Sequence, residues 1–222
     1  MIRRALIVIL AAALGAAVLF WATLPDVRPL ARSWPATTAF MERRKAELAK
    51  RGESTRLDWT PVPLARIAPD LQRAVVAAED SRFFEHGGVD WEAMRGALET
   101  NWEKGRLKVG GSTITQQLAK NLYLSPARTP WRKLRELAIA KRLESQLSKK
   151  RILELYLNVI ELGPRTYGVE AAARRYMGVS ARDLSREQAA TLAAMIPSPR
   201  LYDLQRHPER VKRRADRILR WM

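Results

Sequence analysis

The chain has 222 residues, 47% of them hydrophobic and 28% charged, which suits one compact domain plus an anchor and excludes wholesale disorder. It has no cysteine and two histidines, so disulfides, thiol nucleophiles and cysteine zinc sites are excluded, and a histidine-rich metal site is not expected. Its 40 Lys and Arg against 23 Asp and Glu give a formal net charge of +17, which predicts an anionic partner: nucleic acid, lipid or phosphate.

The first predicted element is a transmembrane helix over residues 5–24. These residues carry no charge, and about 20 residues of helix span a hydrocarbon core of ~30 Å. Arg3 and Arg4 place residues 1–4 in the cytoplasm. A cleaved signal peptide is the alternative, although its apolar core usually has ~7–15 residues. Because an exported domain rarely meets DNA, we expect the basic excess to face anionic or phosphorylated lipid and not nucleic acid.

The remaining chain is predicted to be mainly α-helical. Residues 25–60 contain three prolines and a charge-rich stretch, which predicts a stalk and a membrane-proximal segment before a folded domain at 61–222. A helix with Pro69 in its first turn is predicted to end at Glu79. Other helices are predicted to start after the capping residues Asp90, Thr129 and Ser185. The helix after Asp90 is expected to bury Trp91, Met94, Leu98 and Trp102.

The first candidate site is the segment EDSRFFEHGGVD, which begins at Glu79. A carboxylate beside its two phenylalanines would have its ionised form destabilised and its basicity raised, as a general base near neutral pH requires. A helix-terminal acidic pair with a loop histidine is the structural alternative. The candidate residues of this segment are Glu79, Asp80, Phe83 and His86.

The second candidate site is the segment GGSTITQQLAKN at residues 110–121. A glycine pair, hydroxyls and amides at a helix start offer backbone N–H groups and side-chain donors to an anion or a sugar. An N-cap followed by a polar surface face is the alternative. The candidate residues are Ser112, Thr113, Gln116, Gln117, Lys120 and Asn121.

Three further segments complete the candidate set. In WRKLRE, Arg132 and Lys133 could hold a pyrophosphate, whereas solvated surface is the alternative in so basic a chain. In KKRILELYLN, Glu154 and Asn158 lie one helical turn apart on one face. In GVEAAARRY, small residues predict close packing, and Tyr176 is a candidate substrate contact.

In this order, the five segments resemble the five motifs of family 51 glycosyltransferases, the peptidoglycan transglycosylase domain of penicillin-binding proteins and of monofunctional transglycosylases. The family patterns are E-D-x-x-F-x-x-H-x-G, G-x-S-T-I-x-Q-Q-x-x-K-N, R-K-x-x-E, I-L-E-x-Y-L-N and G-V-E-A-A-A. They match from Glu79, Gly110, Arg132, Ile152 and Gly168. The resemblance covers roughly residues 60–210. Met177 departs from it, since an aromatic is common there, which affects local packing more than activity.

The resemblance implies a lysozyme-like helical domain that polymerises lipid II on undecaprenyl pyrophosphate, inverts the anomeric carbon and releases undecaprenyl pyrophosphate. Glu79 is then expected to deprotonate the acceptor hydroxyl. Glu154 is expected to be the second catalytic carboxylate, acting on the leaving pyrophosphate with Mg²⁺ or Mn²⁺ or with basic residues; no organic cofactor is expected. The expected substrate contacts are Asp80, Phe83, His86, Ser112, Thr113, Gln116, Gln117, Lys120, Asn121, Arg132, Lys133, Glu136, Asn158 and Tyr176, of which His86 is more a structural hydrogen bonder.

The resemblance also implies a place and partners. We expect a single-pass protein of the bacterial cytoplasmic membrane with a periplasmic catalytic domain, for which penicillin-binding proteins and division proteins are candidate partners. Residues 101–110 are expected to form a mobile flap near the membrane. The sequence has no S-x-x-K motif, so transpeptidase activity is not expected. A lysozyme-like enzyme that cleaves peptidoglycan, and a catalytically silent scaffold, are the alternatives.

Overall fold

The computed structural model describes residues 2–103, 111–127 and 129–222. Within these ranges, the chain forms ten α-helices and one small sheet, so the prediction of a mainly α fold is confirmed. The helices are α1 (Ile2–Ala22), α2 (Ala39–Lys50), α3 (Pro69–Glu79), α4 (Trp91–Glu103), α5 (Ile114–Tyr123), α6 (Pro130–Gln146), α7 (Lys149–Val159), α8 (Val169–Met177), α9 (Arg186–Met195) and α10 (Pro208–Trp221).

Helix α1 stands apart from the rest of the domain. Residues 3–22 have a mean hydropathy of 2.6, and none of them is fully buried, although Phe20 near the C-terminal end packs against the domain. A helix that is apolar all round and unburied in protein needs a nonpolar solvent. It therefore fits a single-pass membrane anchor.

The stretch 25–60 is packed onto the domain and is not a free stalk. Val27 and Leu30 are buried, as are Met41 and Leu48 of α2. These apolar residues are widely spaced among charges, which is why the sequence suggested a polar linker. The folded part of the chain therefore begins before residue 61.

A small sheet connects the segment before α3 with the segment between α7 and α8. Its strands are β1 (Asp58–Trp59), β2 (Glu161–Gly163) and β3 (Thr166–Tyr167), in the order β1-β3-β2. The β1 pairing with β3 is parallel and the β2 pairing is antiparallel. Strands of two or three residues are too short to show an alternating pattern, so the sequence did not reveal them.

Helices α5 and α7 form the centre of the core. α5 packs against α6 and α7, while α3 packs against α9 and α10. The predicted caps are confirmed: Asp90 Oδ1 accepts from Ala93 N, Thr129 caps α6, and Ser185 forms a capping box with Gln188. α3 begins at Pro69 and ends at Glu79, as predicted.

The expectations for α4 are met in part. The helix starts where predicted, but Trp91 is 60% exposed and does not face the core. The side chains of Leu98 and Trp102 lie outside the described part of the chain. So do residues 104–110, and with them most of the expected flap.

Candidate active site

Glu79 closes α3 with a carboxylate that is almost completely buried, its side chain being 8% exposed. Gln117 Nε2 donates to Glu79 Oε2 at 2.9 Å, and Arg214 Nη2 lies 3.2 Å from Oε1. Burial raises the pKa of Glu79 above its ordinary value, although Gln117, Arg214 and Lys120 favour the ionised form. The Glu79 carboxylate is therefore held by two hydrogen-bond donors, and it is a stronger base than the carboxylate of a surface glutamate.

Gln117 is itself held in a fixed orientation. Tyr156 Oη donates to Gln117 Oε1 at 3.0 Å, so the amide nitrogen must point to Glu79. Tyr156 is fully buried, and this burial raises the pKa of its phenol, which keeps the donor protonated. Asn121 Nδ2 donates to the backbone carbonyl of Gln117, one turn earlier in α5. A chain of donors therefore ends on the Glu79 carboxylate.

A second buried carboxylate, Glu136 of α6, forms ion pairs with two basic residues of the same helix. Lys133 Nζ lies 2.5 Å from its Oε1, and Arg132 pairs with its Oε2. The same Lys133 ammonium reaches across to α5, where it donates to Gln116 Oε1 at 2.9 Å and to Ser112 Oγ at 3.2 Å. The third motif is thereby joined to the second, as a common site requires.

Lys120 lies between the two carboxylates. Burial lowers the pKa of its ammonium, while the charges of Glu136 and Glu79 oppose that change and Arg132 adds to it. Its Nζ also lies 5.9 Å from the centre of the Phe40 ring. Together the site gathers more cations than carboxylates, namely Lys120, Arg132, Lys133 and Arg214 against Glu79 and Glu136.

Glu79 also borders a cavity. A space of about 180 Å³ lies between the end of α3 and the start of α5, lined among others by Glu79, Ser112 and Thr113. Gln116 Nε2 is buried and has no hydrogen-bond partner among the described residues. An unpaired buried donor costs free energy, so it indicates a group that a ligand would satisfy. We call the cavity and the residues of this network the cleft; the residues are Glu79, Gln116, Gln117, Glu136, Lys120, Arg132, Lys133 and Arg214.

Several expected substrate contacts hold the cleft in shape, although Asp80 and Thr113 also line its cavity. Asp80 Oδ1 lies 2.9 Å from His86 Nε2, and Asp80 Oδ2 accepts from Ile114 N at 3.0 Å. Thr113 Oγ1 donates to the carbonyl of Gly88, whose φ of 86° and close approach to α6 suit only glycine. Phe83 is fully buried and packs in the core beneath this loop.

Asp80, His86 and Asp90 are the one group of acidic and histidine side chains in the described ranges whose ligand atoms converge, all within 4.8 Å. Both Asp80 oxygens are already engaged. Asp90 accepts from Ala93 N and lies 3.7 Å from the Arg82 guanidinium. Because both carboxylates are engaged within the chain, the cluster is a poor cation site.

The structure does not bring Glu154 to Glu79, contrary to expectation. Glu154 Oε2 accepts from Leu64 N at 2.6 Å, and Oε1 is paired with Arg151. Glu154 and Tyr156 are two residues apart, about 200° around the helix axis, so Glu154 faces away from the donors that reach Glu79. With both oxygens occupied, Glu154 does not fit a divalent cation either.

Asn158 and Tyr176 are also placed outside the cleft. Asn158 exchanges two hydrogen bonds with the backbone of Val62, at 2.8 Å and 2.9 Å, on the same face of α7 as Glu154. Tyr176 lies against Gly163 of the sheet, where a Cβ would collide with its hydroxyl. Both residues therefore brace the fold.

Two residues that contact the cleft were missed from the sequence. Arg214 lies outside the five segments, on α10, where it borders the buried Ala215 in a run of basic residues. No local signal separates it from its exposed neighbours. Tyr156 could have been found, because a tyrosine inside an apolar helix needs a partner for its hydroxyl.

Comparison with known proteins extends these observations. The profile of the family described as Transglycosylase matches residues 44–222. The biosynthetic peptidoglycan transglycosylase of Nitrosospira multiformis is 52% identical over 185 residues, covering 83% of this chain and 80% of that protein. The protein of the same name from Laribacter hongkongensis is 51% identical over 188 residues, with coverages of 85% and 82%. That from Thiobacillus denitrificans is 52% identical over 188 residues, with coverages of 85% and 81%.

Proposed function

Because the chain belongs to the transglycosylase family, we propose that it is a peptidoglycan glycosyltransferase in which Glu79 is the general base. The enzyme polymerises lipid II into glycan strands. The observation that carries the assignment of Glu79 is its buried carboxylate, which has a raised pKa, lines a cavity and is held by Gln117 and Arg214. A base must hold its proton well enough to remove one from a hydroxyl, and burial supplies that basicity.

In the proposed reaction, Glu79 accepts the proton of the acceptor's 4-hydroxyl. The hydroxyl oxygen forms a bond to the anomeric carbon of the donor, while the bond from that carbon to the pyrophosphate oxygen breaks. The pyrophosphate leaves with the electron pair, and the configuration is inverted. Gln117 and Arg214 each occupy one lone pair of the carboxylate, which leaves others to take the proton.

The basic residues of the cleft are suited to the departing pyrophosphate. Arg132 can bind it by two parallel hydrogen bonds, and Lys133 and Lys120 act as point charges. Glu136 holds Arg132 and Lys133 in place. It therefore takes the role that was expected of Glu154, which was to act on the leaving pyrophosphate together with basic residues. Charge that develops on the leaving group is stabilised by cations already in position.

The expected Mg²⁺ or Mn²⁺ ion does not fit the described residues. The carboxylates of the cleft, Glu79 and Glu136, are already paired with basic groups, and Glu154 is closed. A hard cation needs several free oxygen ligands. No step of this mechanism depends on a metal ion.

The orientation in the membrane follows from the flanks of α1. Arg3 and Arg4 at its N-terminal end favour a cytoplasmic N-terminus. The catalytic domain is then periplasmic, on the side where lipid-linked precursors are polymerised. Penicillin-binding proteins and division proteins remain the candidate protein partners on the resemblance.

Polymerisation of labelled lipid II by the purified full chain, beside Glu79→Gln, tests this function. We expect strands from the wild type and a loss of at least ~100-fold in the variant, since a general base contributes that much. A wild type that shortens preformed glycan would make it a cleaving enzyme. No reaction of either kind, where a reference polymerase is active, would make it a scaffold.

A further inference from the structure

The C-terminal end of the anchor helix α1 is bound by two arginines of α6. Arg142 donates to the carbonyls of Trp21 and Leu24, at 3.1 Å and 3.0 Å. Arg135 Nη2 donates to the carbonyl of Thr23 at 3.0 Å. The Trp21 carbonyl accepts from Leu24 N at 3.3 Å, and the carbonyls of Thr23 and Leu24 lie just beyond the end of α1. Carbonyls at a helix end lack intrahelical partners, and here α6 supplies a donor to all three. We call these two arginines and their partners the anchor joint.

Aromatic contacts extend the anchor joint. The ring of Phe20 meets that of Trp131 edge to face, with 5.3 Å between centroids, and the Arg142 guanidinium lies 5.6 Å from the Trp21 ring. Trp21, Trp131 and Leu134 nevertheless stay about half exposed. Tryptophan beside arginine, with apolar surface left open, is the composition of a membrane interface.

The chemistry of the anchor joint also points to a place with little water. In bulk water, the carbonyls at a helix end can be solvated at almost no cost. In the interface of a bilayer an unpaired carbonyl is costly, and a guanidinium both donates to it and complements the helix dipole. The exposed patch of Trp131 and Leu134 is continuous with the helix that spans the bilayer, so lipid is the occupant that this continuity favours.

The opposite side of α6 serves the cleft. Lys133 contacts Gln116 of α5 and Glu136 of α6, while Arg135 between them turns to α1. A helix rises 1.5 Å per residue, so Lys133 and Arg135 differ by about 3 Å along the axis. The depth of the anchor joint in the bilayer therefore fixes the depth of the basic residues of the cleft.

We propose that the N-terminal half of α6 is a lipid-docking surface, with Trp131 and Leu134 inserted at the headgroup level of the outer leaflet. Arg135 and Arg142 are its positioning residues: they hold α6 to the anchor, so that Arg132 and Lys133 meet a membrane-bound pyrophosphate at its own depth. This role rests on the proposed function.

The insertion is tested by depth-dependent quenching. Because the sequence has no cysteine, Leu134→Cys gives a single labelling site, and Lys212→Cys on the exposed face of α10 gives a matched control. The full chain is placed in phosphatidylethanolamine and phosphatidylglycerol vesicles that carry headgroup-level nitroxide lipids. We expect strong quenching at position 134 and little at 212. Equal quenching at the two positions would overturn the proposal.

The positioning role is tested with Arg135→Gln/Arg142→Gln against Lys50→Gln/Arg51→Gln, which removes the same charge from exposed residues of α2 and its end. We expect the first variant to lose at least ~10-fold of polymerisation in vesicles and little in detergent, where depth is not constrained. The control should keep its activity in both. Equal loss in both media, or none in vesicles, would overturn the proposal. An inactive wild type would contradict the proposed function, whereas the quenching result would stand without it.

Discussion

Helix α7 presents two polar residues of one motif, Tyr156 and Glu154, to opposite sides of the domain. On one side, Tyr156 reaches Gln117 and, through it, Glu79 in the cleft. On the other, Glu154 and its neighbour Asn158 bind the backbone at residues 62–64. We call this second network the brace. Both networks are hydrogen-bonded, but they differ in whether the chain itself satisfies their polar groups.

The difference lies in which groups are left without a partner. In the brace, both Glu154 oxygens are engaged by the chain itself. In the cleft, the nitrogens Gln116 Nε2, Arg132 Nε and Arg214 Nε are buried without hydrogen bonds among the described residues. Buried donors without a partner in the chain can be satisfied by a ligand, whereas a closed network stabilises the fold. Membership of a motif therefore does not by itself identify a catalytic residue.

The largest effect in the cleft, after loss of Glu79 itself, is expected from Glu136→Gln. Without the carboxylate, Lys133 and Arg132 lose the group that positions them, so polymerisation should fall by about 10²-fold or more. Initial rates on labelled lipid II measure this loss. Glu144→Gln is the matched control, a glutamate of the same helix that pairs with Lys149 outside the cleft. Similar losses in both variants would contradict a special role for Glu136.

A smaller effect is expected from Arg214→Gln. Removing this cation raises the pKa of Glu79 further, so less of the base is ionised at neutral pH. We expect kcat/KM to fall about 10-fold near neutral pH and the acidic limb of the pH profile to move to higher pH. Arg217→Gln, on the exposed face of the same helix, should leave the profile unchanged. An unshifted limb in Arg214→Gln would mean that Arg214 does not act on Glu79.

A substitution in the brace is expected to lower the stability of the folded protein. Glu154→Gln keeps an acceptor for Leu64 N but loses the charge that pairs with Arg151, so the free energy of unfolding should fall by about 2 kcal/mol. Thermal unfolding of the purified chain, monitored by circular dichroism, measures the change. An unchanged melting temperature would show that Glu154 braces nothing.

The sequence predicted the helical part of this architecture well. Capping residues and 3.6-residue periodicity placed α3, α4, α6 and α9, because these signals are local. The strands could not be predicted because they are only two or three residues long, and β1 pairs with β3 across a hundred residues. The packing of residues 25–60 likewise depends on distant parts of the chain. Trp91 was misplaced because periodicity identifies an apolar face but not what covers it.

The site was predicted in composition but not in arrangement. The motif segments supplied Glu79, Gln117 and Lys133, and the structure brings them to one cleft. Glu154 looked equivalent to Glu136 because both are glutamates among basic residues on helices. Only the direction of each side chain separates them, and that depends on which helices pack against α6 and α7.

The smallest expected effect is on the pH dependence of the unfolding free energy, which burial of the Glu79 carboxylate causes. Burial raises the pKa of Glu79 above its ordinary value of 4.5, so the wild type loses stability as pH rises from 4.5 through the raised pKa. Gln at this position does not titrate. The unfolding free energy of Glu79→Gln relative to wild type should therefore increase over this range. Melting temperatures of both proteins at pH 4.5 and about pH 8 measure the trend. A constant difference would mean that Glu79 titrates normally.

The most direct test of the two roles compares Glu79→Gln and Glu154→Gln in one polymerisation assay, with rates normalised to the folded fraction of each protein. Our account predicts a loss of at least ~100-fold for Glu79→Gln and a rate close to wild type for Glu154→Gln. If Glu154→Gln loses as much as Glu79→Gln while remaining folded, the brace takes part in the chemistry and our account is contradicted.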